Sequence, residues 1–254
     1  MKSLEIINKK IKTAIYPILT ILVLLLLWQY VVDYMKVPSY VMPTPLMILE
    51  EFKSDWNLLI MHSEVTLKET VLGLLISIIT ALIIGILIDF VPFLKKTLYP
   101  LMYVTQMIPV ITIAPLLIIW FGFGIKSKVL CVVLTCFFPI LINFTDGIEG
   151  IDEDYLDLFK VMKAGKIKTF IHLKFPMSLE KFFTGLTISS AYAFVAATVA
   201  EWLGGVNGLG VYMVRAKNSY ALDKVFACTL LVVFFSLIFV GIIKLIRAVV
   251  LKRF

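Results

Sequence analysis

The sequence predicts an all-α polytopic membrane protein with six transmembrane helices and a helical knuckle between the fourth and fifth. Three observations predict it. The 254 residues are 61% hydrophobic and only 16% charged, where soluble domains carry about 25% charge. Charge-free windows recur at 13–32, 70–88, 97–125, 129–145, 182–200 and 225–243, and a helix needs about 20 apolar residues to cross the hydrocarbon core. Between the fourth and fifth windows lies an amphipathic stretch, Ile148 to Leu173, rich in both acids and lysines.

The spans are expected at about 13–35, 66–90, 97–122, 127–147, 178–203 and 222–250, within a single transmembrane domain covering residues 1–254. The first is a retained helix, because Asp33-Tyr34-Met35-Lys36 offers no small-residue cleavage site. A loop follows with prolines at 38, 43 and 45, which favour extended or turning backbone. A short helix from Leu46 to Phe52 is expected after it, with Thr44 as N-cap and Pro45 at the first helical position.

Spans two and five share a pattern. Gly73, Ser77, Ala81 and Gly85 lead to Asp89; Gly185, Ser189, Ala193 and Ala197 lead to Glu201. Small residues at i+4 spacing form one stripe that lets helix backbones approach closely. Such a stripe serves packing within the chain, a subunit interface or a solute path. The third window is too long for one simple helix and contains Pro100, Pro109 and Pro115, so a break is expected inside it. Cys131, Cys136 and Cys228 all fall inside the expected spans without metal-type spacing and read as small apolar residues.

The knuckle, about 150–175, reads as a helix pair. Asp152 is placed as N-cap, with Glu153 and Asp154 in the first turn and Lys160 and Lys163 in the last, each sign matching the helix dipole. Gly165 is the expected C′ residue. Ile151, Tyr155, Leu158 and Met162 make an apolar row with Leu156 and Phe159 beside it. A second helix would carry Ile167, Phe170 and Ile171 and end before Pro176. Docking to a partner and lying flat on lipid both fit this pattern.

Six spans put both termini on one side. With the N-terminus in the cytoplasm, 16 Lys and Arg fall inside and 8 outside, Lys128 among the latter; the positive-inside rule therefore places both termini in the cytoplasm of a multi-pass plasma-membrane protein. The net charge of +7 is then a basic face beside anionic lipid and needs no nucleic acid. No phosphate-binding loop of the Gly-x-x-x-x-Gly-Lys-Ser/Thr type exists, so ATP hydrolysis of that kind is excluded from this chain. Gly204, Gly205, Gly208 and Gly210 follow no strand and read as a flexible turn. His62 and His172 are expected on opposite sides of the membrane, which excludes a shared metal site. No catalytic constellation survives, and the charge-free windows argue against an ion-driven carrier, the alternative reading as a stand-alone secondary transporter.

Four stretches then carry a resemblance: Val-Pro-Ser-Tyr-Val-Met-Pro-Thr-Pro at 37–45; residues 106–124, running from Gln-Met-Ile-Pro-Val to Trp-Phe-Gly-Phe-Gly; Phe-Phe-Pro-Ile-Leu-Ile-Asn at 137–143; and Ala-Glu-Trp-Leu-Gly-Gly with Gly-Leu-Gly at 200–210. The chain resembles the transmembrane permease subunits of binding-protein-dependent ABC importers, in the nitrate, taurine, alkanesulfonate and thiamine-precursor branch. The resemblance implies a type I importer permease-like fold and no enzyme activity or cofactor in this chain. ATP and Mg would be bound by a partner ATPase in two copies. A second permease subunit, most simply a homodimer partner, and an extracytoplasmic binding protein would complete the importer. The cargo implied is a small solute of thiamine-precursor or vitamin-like, sulfonate or nitrate class.

In that family the knuckle resembles Glu-Ala-Ala, three residues, then Gly, ending in Leu-Pro. Counting back thirteen from Pro176 places the glycine position at Lys163 and the Glu-Ala-Ala positions at Asp157, Leu158 and Phe159, so only the acid is kept in kind. The resemblance makes Asp157, Leu158, Phe159, Met162, Lys163, Ala164 and Gly165 the ATPase-coupling residues. It makes Gln106, Pro109, Thr112, Pro115, Ser189 and Tyr192 the residues of the translocation path or its gate.

Overall fold

The computed structural model describes residues 2–252, with side chains from residue 15 onward except at 103 and 106. Eleven α-helices follow in order: α1 Lys2–Tyr34, α2 Pro45–Ser54, α3 Trp56–Phe90, α4 Pro92–Gln106, α5 Val110–Phe121, α6 Ile125–Glu149, α7 Glu153–Val161, α8 Lys166–Thr169, α9 Phe175–Trp202, α10 Leu209–Asn218 and α11 Leu222–Leu251. A π-type turn, Phe170–Lys174, joins α8 to α9. No strand occurs among the described residues.

Five helical stretches are long and apolar enough to cross a membrane: Ile15–Tyr34, Trp56–Phe90, Ile125–Glu149, Lys166–Trp202 and Leu222–Leu251; Val110–Phe121 is a shorter apolar helix. The break expected in the proline-rich window falls between α4 and α5. Pro109, extended at φ −62° and ψ 126°, is the N-cap of α5.

One compact unit comprises Met1–Leu59 and Met213–Thr229. Thr44 caps α2 as expected, its hydroxyl accepting from the Met47 amide at 3.2 Å. Gln29 accepts from the Leu46 amide at 3.3 Å, and Trp28 packs on Phe226 with ring centroids 5.5 Å apart. The Lys224 ammonium lies 2.6 Å from Asp55 and 3.4 Å from Glu51.

The other unit comprises Ile60–Tyr212 and Leu230–Phe254. Its centre is α6, and the two small-residue stripes both rest on it. A Cβ added at Gly73 would sit 2.5 Å from Val132 Cβ, and one at Gly85 would sit 2.5 Å from the Phe144 ring. At Gly185 it would run into the Pro139 carbonyl oxygen. Ser189 donates to the Cys136 carbonyl at 2.8 Å, while Ser77 donates chiefly to the Gly73 carbonyl of its own helix at 2.7 Å, with the Val133 carbonyl of α6 at 3.3 Å as a second acceptor. In lipid, close van der Waals approach of this kind and interhelical hydrogen bonds hold helices together, since the tails are as apolar as the side chains. On α9, Phe194 then carries Phe235 and Phe239 of α11 at 5.6 and 5.0 Å.

Candidate functional site

The knuckle is built locally. Asp152 Oδ1 accepts from the Asp154 amide at 3.1 Å, the expected N-cap. Lys160 reaches Asp157 at 2.7 Å, and that carboxylate raises the Lys160 ammonium above its ordinary value. At the other end the Ala164 amide bonds the Phe159 carbonyl at 3.0 Å and the Lys163 amide bonds Lys160 at 2.9 Å. These two bonds are the Schellman pair, and they need a left-handed residue at C′. That residue is Lys163, at φ 53°. Gly165, expected in this role, instead sits at φ −69° and ψ 161° as N-cap of α8. The turn closes two residues earlier than the glycine suggested.

The second knuckle helix also differs from expectation. It does not stop before Pro176 but runs through the π-type turn into α9, with Pro176 in the first turn of that helix. In a regular helix the Pro176 ring would meet the His172 carbonyl; the widened turn precedes it where that clash would fall.

The knuckle has two faces. Phe170 and Leu173 are buried. Phe170 packs on Phe90 of α3 at 5.4 Å and on Phe175 of α9 at 6.1 Å, and Phe175 reaches Phe144 of α6 at 6.2 Å. Lys174 pairs with Asp89 of α3 at 2.6 Å. Lys95 pairs with Glu149 at 3.2 Å, and the Tyr99 hydroxyl bonds Asp146. On the other face Tyr155, Leu158, Val161, Met162, Ile167 and Ile171 stand exposed. Of the seven proposed coupling residues, Asp157, Leu158, Met162, Lys163 and Gly165 are exposed, while Phe159 and Ala164 are half-buried.

The residues expected along a path are scattered. Pro109 lines a cleft of about 360 Å³ together with Thr105, Ile108, Ile113, Thr135 and Pro139. Thr112 is exposed and turned back on the Pro109 carbonyl at 2.7 Å, and Pro115 lies inside α5. Tyr192 is exposed, but Ser189 is fully buried against α6, which gives it to helix packing rather than to a path. The Gln106 side chain lies outside the described residues. A second cleft of about 420 Å³, carrying Asn143, Asp146, Glu180, Lys181 and Thr184, opens further along α6.

A buried polar cluster was not foreseen. Glu201 of α9 accepts from the Thr66 hydroxyl of α3 at 2.7 Å and from the Gly210 amide at 2.6 Å. The Leu209 amide donates to Thr66 at 2.8 Å and the Gly208 amide to His62 Nδ1 at 2.9 Å. Glu69 and Lys128, both buried, interact electrostatically with this group. Lys128 is therefore not the exposed loop cation that the charge count assumed; its ammonium bonds the carbonyls of Phe123 and of Gly124, the latter at 3.2 Å. The glycine turn is pinned rather than flexible. Gly208 holds φ 128°, and a side chain there or at Gly210 would collide with Glu201 or with the Thr198 carbonyl. Among the described residues no cluster of three or more His, Cys, Asp or Glu could hold a metal.

Comparison with known proteins agrees with this architecture. Residues 73–252 match the family described as binding-protein-dependent transport system inner membrane component. The chain is 35% identical to a probable ABC transporter permease protein of Haemophilus influenzae, over 87% of this chain and 90% of that one. It is 34% identical to the formylaminopyrimidine transport permease protein of Halalkalibacterium halodurans, over 86% and 88%. Among solved structures, an inward-facing MetNI methionine ABC transporter superposes with a TM-score of 0.66 at 16% identity, covering 76% of this chain and 96% of that one.

Proposed function

Because the chain belongs to the family of binding-protein-dependent transport system inner membrane components, we propose that its 254 residues act as one translocating domain driven through the knuckle by a partner ATPase. One observation carries the coupling assignment. The knuckle presents an exposed apolar row, Tyr155, Leu158, Met162 and Ile167, while its opposite face is fixed to α3 and α9 through Phe170 and Lys174. An amphipathic helix laid in a groove is a recurrent docking mode. A push on the outer face reaches the spanning helices through the inner one.

In this reading Asp157, Leu158, Phe159, Met162, Lys163, Ala164 and Gly165 meet the ATPase. The broken segment between Gln106 and Pro115, with Tyr192, borders the path. Two ATPase copies bind and hydrolyse ATP with Mg, a second copy of this chain completes the conduit, and an extracytoplasmic binding protein delivers a small solute. Both termini lie in the cytoplasm. The relatives' names span formylaminopyrimidine, aliphatic sulfonates, riboflavin, nitrate and taurine, which keeps the thiamine-precursor or vitamin-like, sulfonate and nitrate classes in view.

Buried acids would also suit an ion-driven carrier. Glu201, however, spends both oxygens on Thr66 and Gly210, which is a structural use. Reconstitution into proteoliposomes separates the two readings. Uptake that requires enclosed ATP and the ATPase supports the importer; uptake driven by an ion gradient in the chain alone overturns it. Retained ATPase binding after residues 152–163 are scrambled would remove the docking site.

A further inference from the structure

Two of the spanning helices are tied to each other at both ends. At the knuckle end, Asp89 of α3 pairs with Lys174 at 2.6 Å and Phe90 packs on Phe170 at 5.4 Å. At the opposite end, Thr66 of α3 donates to Glu201 of α9 at 2.7 Å. At a rise of about 1.5 Å per residue, the two ties stand about 35 Å apart along α3 and about 40 Å apart along α9. Each run exceeds the hydrocarbon core of about 30 Å. Proline stands inside α1, α4, α5 and α6, whereas α3 has none and α9 only Pro176 in its first turn. Sharp kinks arise chiefly at such prolines, so α3 and α9 are the straight rods of the set. Between the ties both lie on α6 with no room for a Cβ, Gly73 against Val132 and Gly185 against the Pro139 carbonyl. The chain also passes from α8 through the π-type turn into α9 without a gap. The second knuckle helix and Glu201 therefore belong to one helical body.

The far tie holds a turn as well as two helices. Three successive amides bond to it: Gly208 to His62 at 2.9 Å, Leu209 to Thr66 at 2.8 Å and Gly210 to Glu201 at 2.6 Å. Gly208 backs so closely on the Glu201 carboxylate that no side chain fits between them. The turn cannot shift against α3 and α9 without breaking these bonds, and a buried amide left unpaired is destabilising.

We propose that Thr66 and Glu201 are positioning residues of the transport cycle: they make the Gly208–Gly210 turn move with the knuckle, so that nucleotide bound at one membrane face changes the other. Coupling over such distances runs through packed side chains, hydrogen bonds and rigid elements in contact, and α3, α6 and α9 combine all three. The inference rests on the importer reading and adds its far-side output.

The test reads each end with one added thiol. Asn207 is exposed in the turn and Lys168 is exposed in the knuckle, while the three native cysteines are buried. The permease–ATPase complex in nanodiscs carries Asn207→Cys or Lys168→Cys. The rate of N-ethylmaleimide labelling is measured without nucleotide and with Mg-ATP and vanadate. Both thiols are expected to change rate on trapping. Thr66→Val should leave the Lys168→Cys response intact and cut the Asn207→Cys response at least about threefold, within the range that changes along a coupled network produce. Thr66→Ser, which returns the hydroxyl, should restore it. Ile48→Val thins a buried site of α2 and lowers stability without touching the tie, so its Asn207→Cys response should match wild type. A turn that stays silent in the wild-type complex while the knuckle responds overturns the inference. So does a full response in Thr66→Val, or a loss in Ile48→Val as large as in Thr66→Val. A silent knuckle thiol instead overturns the importer reading on which the inference rests.

Discussion

The Thr66 hydroxyl donates to Glu201 Oε1 at 2.7 Å across 135 residues of sequence. The same Thr66 oxygen accepts from the Leu209 amide at 2.8 Å, and the other Glu201 oxygen accepts from Gly210 at 2.6 Å. Two side chains from two spanning helices thus fix the turn that leads into α10. The turn has no regular structure of its own, and its amides would otherwise be buried unpaired.

Removing Glu201 should therefore cost more than removing Thr66. A buried hydrogen bond contributes about 1 kcal/mol net, an orphaned buried donor adds about 1–3 kcal/mol, and truncating the larger buried side chain of Glu201 also leaves a cavity. Glu201→Ala is expected to destabilise by about 3 kcal/mol and Thr66→Val by about 1–2 kcal/mol. Glu201→Gln, which keeps an acceptor oxygen, should fall between wild type and Glu201→Ala. Thermal unfolding in detergent reads the order, and a Thr66–Glu201 double-mutant cycle should show coupling rather than additivity.

The stripe on α9 makes a sharper prediction. A Cβ at Gly185 meets a backbone oxygen, that of Pro139, which cannot swing aside as a side chain would. Gly185→Ala must push α9 from α6 and should cost about 1–3 kcal/mol, the range for overpacking. At Gly241 of α11 nothing lies within 4 Å of the added atom. Gly241→Ala should leave the melting temperature unchanged or raise it.

Much of this was legible because it is local or periodic. Thr44-Pro45 and Asp152-Glu153-Asp154 announce helix starts through side-chain chemistry within one turn. The i+4 spacing of Gly73 to Gly85 and Gly185 to Ala197 announces close packing, and the three prolines at 100, 109 and 115 announce a break, which the structure places at Pro109. The buried polar cluster was hidden for the opposite reason. Glu69, Lys128 and Glu201 each stand one residue outside a charge-free window, so each reads alone as a loop charge. Only the packing of α3, α6 and α9 brings them together. Lys163 was missed because a glycine two residues on is the cheaper left-handed residue, and only the tertiary path decides which one turns.

That choice leaves strain in the knuckle. A non-glycine residue in the left-handed region costs about 1–2 kcal/mol through its Cβ. Lys163→Gly should relieve part of it, about 0.5–1 kcal/mol net once the looser unfolded chain is counted. Slower amide hydrogen exchange at Lys163 and Ala164, whose N–H groups close the Schellman pair, is the expected readout. Gly165→Ala, at an ordinary φ with open space around it, should be neutral or mildly stabilising.

Glu51 gives a pH signature on α2. Burial pushes its carboxyl above the ordinary carboxylate value, with Lys224 opposing and Asp55 adding to the shift. A raised acid holds its proton longer folded than unfolded, so stability falls as pH rises between the unfolded and the folded value, then levels off. The melting temperature should therefore carry a component that declines upward from about pH 4, near the unfolded glutamate value. Glu51→Gln should lack that component and match or exceed wild type at neutral pH. An identical pH profile for the two proteins would remove Glu51 as its source.

The two faces of the knuckle should separate binding from folding. Leu158 and Met162 are exposed and touch little of this chain, whereas Phe170 is buried between Phe90 and Phe175. Leu158→Asp with Met162→Asp puts two charges where an apolar groove would close over them. It should abolish co-purification with the ATPase while the melting temperature of the isolated permease stays within about 0.5 kcal/mol equivalent, as for ordinary surface changes. Phe170→Ala should do the reverse at first sight, costing about 3–5 kcal/mol of fold stability while leaving the docking row chemically intact. At low temperature, where the variant is still folded, it should bind the ATPase but transmit little, so ATP hydrolysis continues with uptake reduced. If the aspartate pair still bound ATPase normally, the outer row would not be the contact. If Phe170→Ala kept full coupling, the aromatic link from the knuckle to α3 and α9 would not carry the motion.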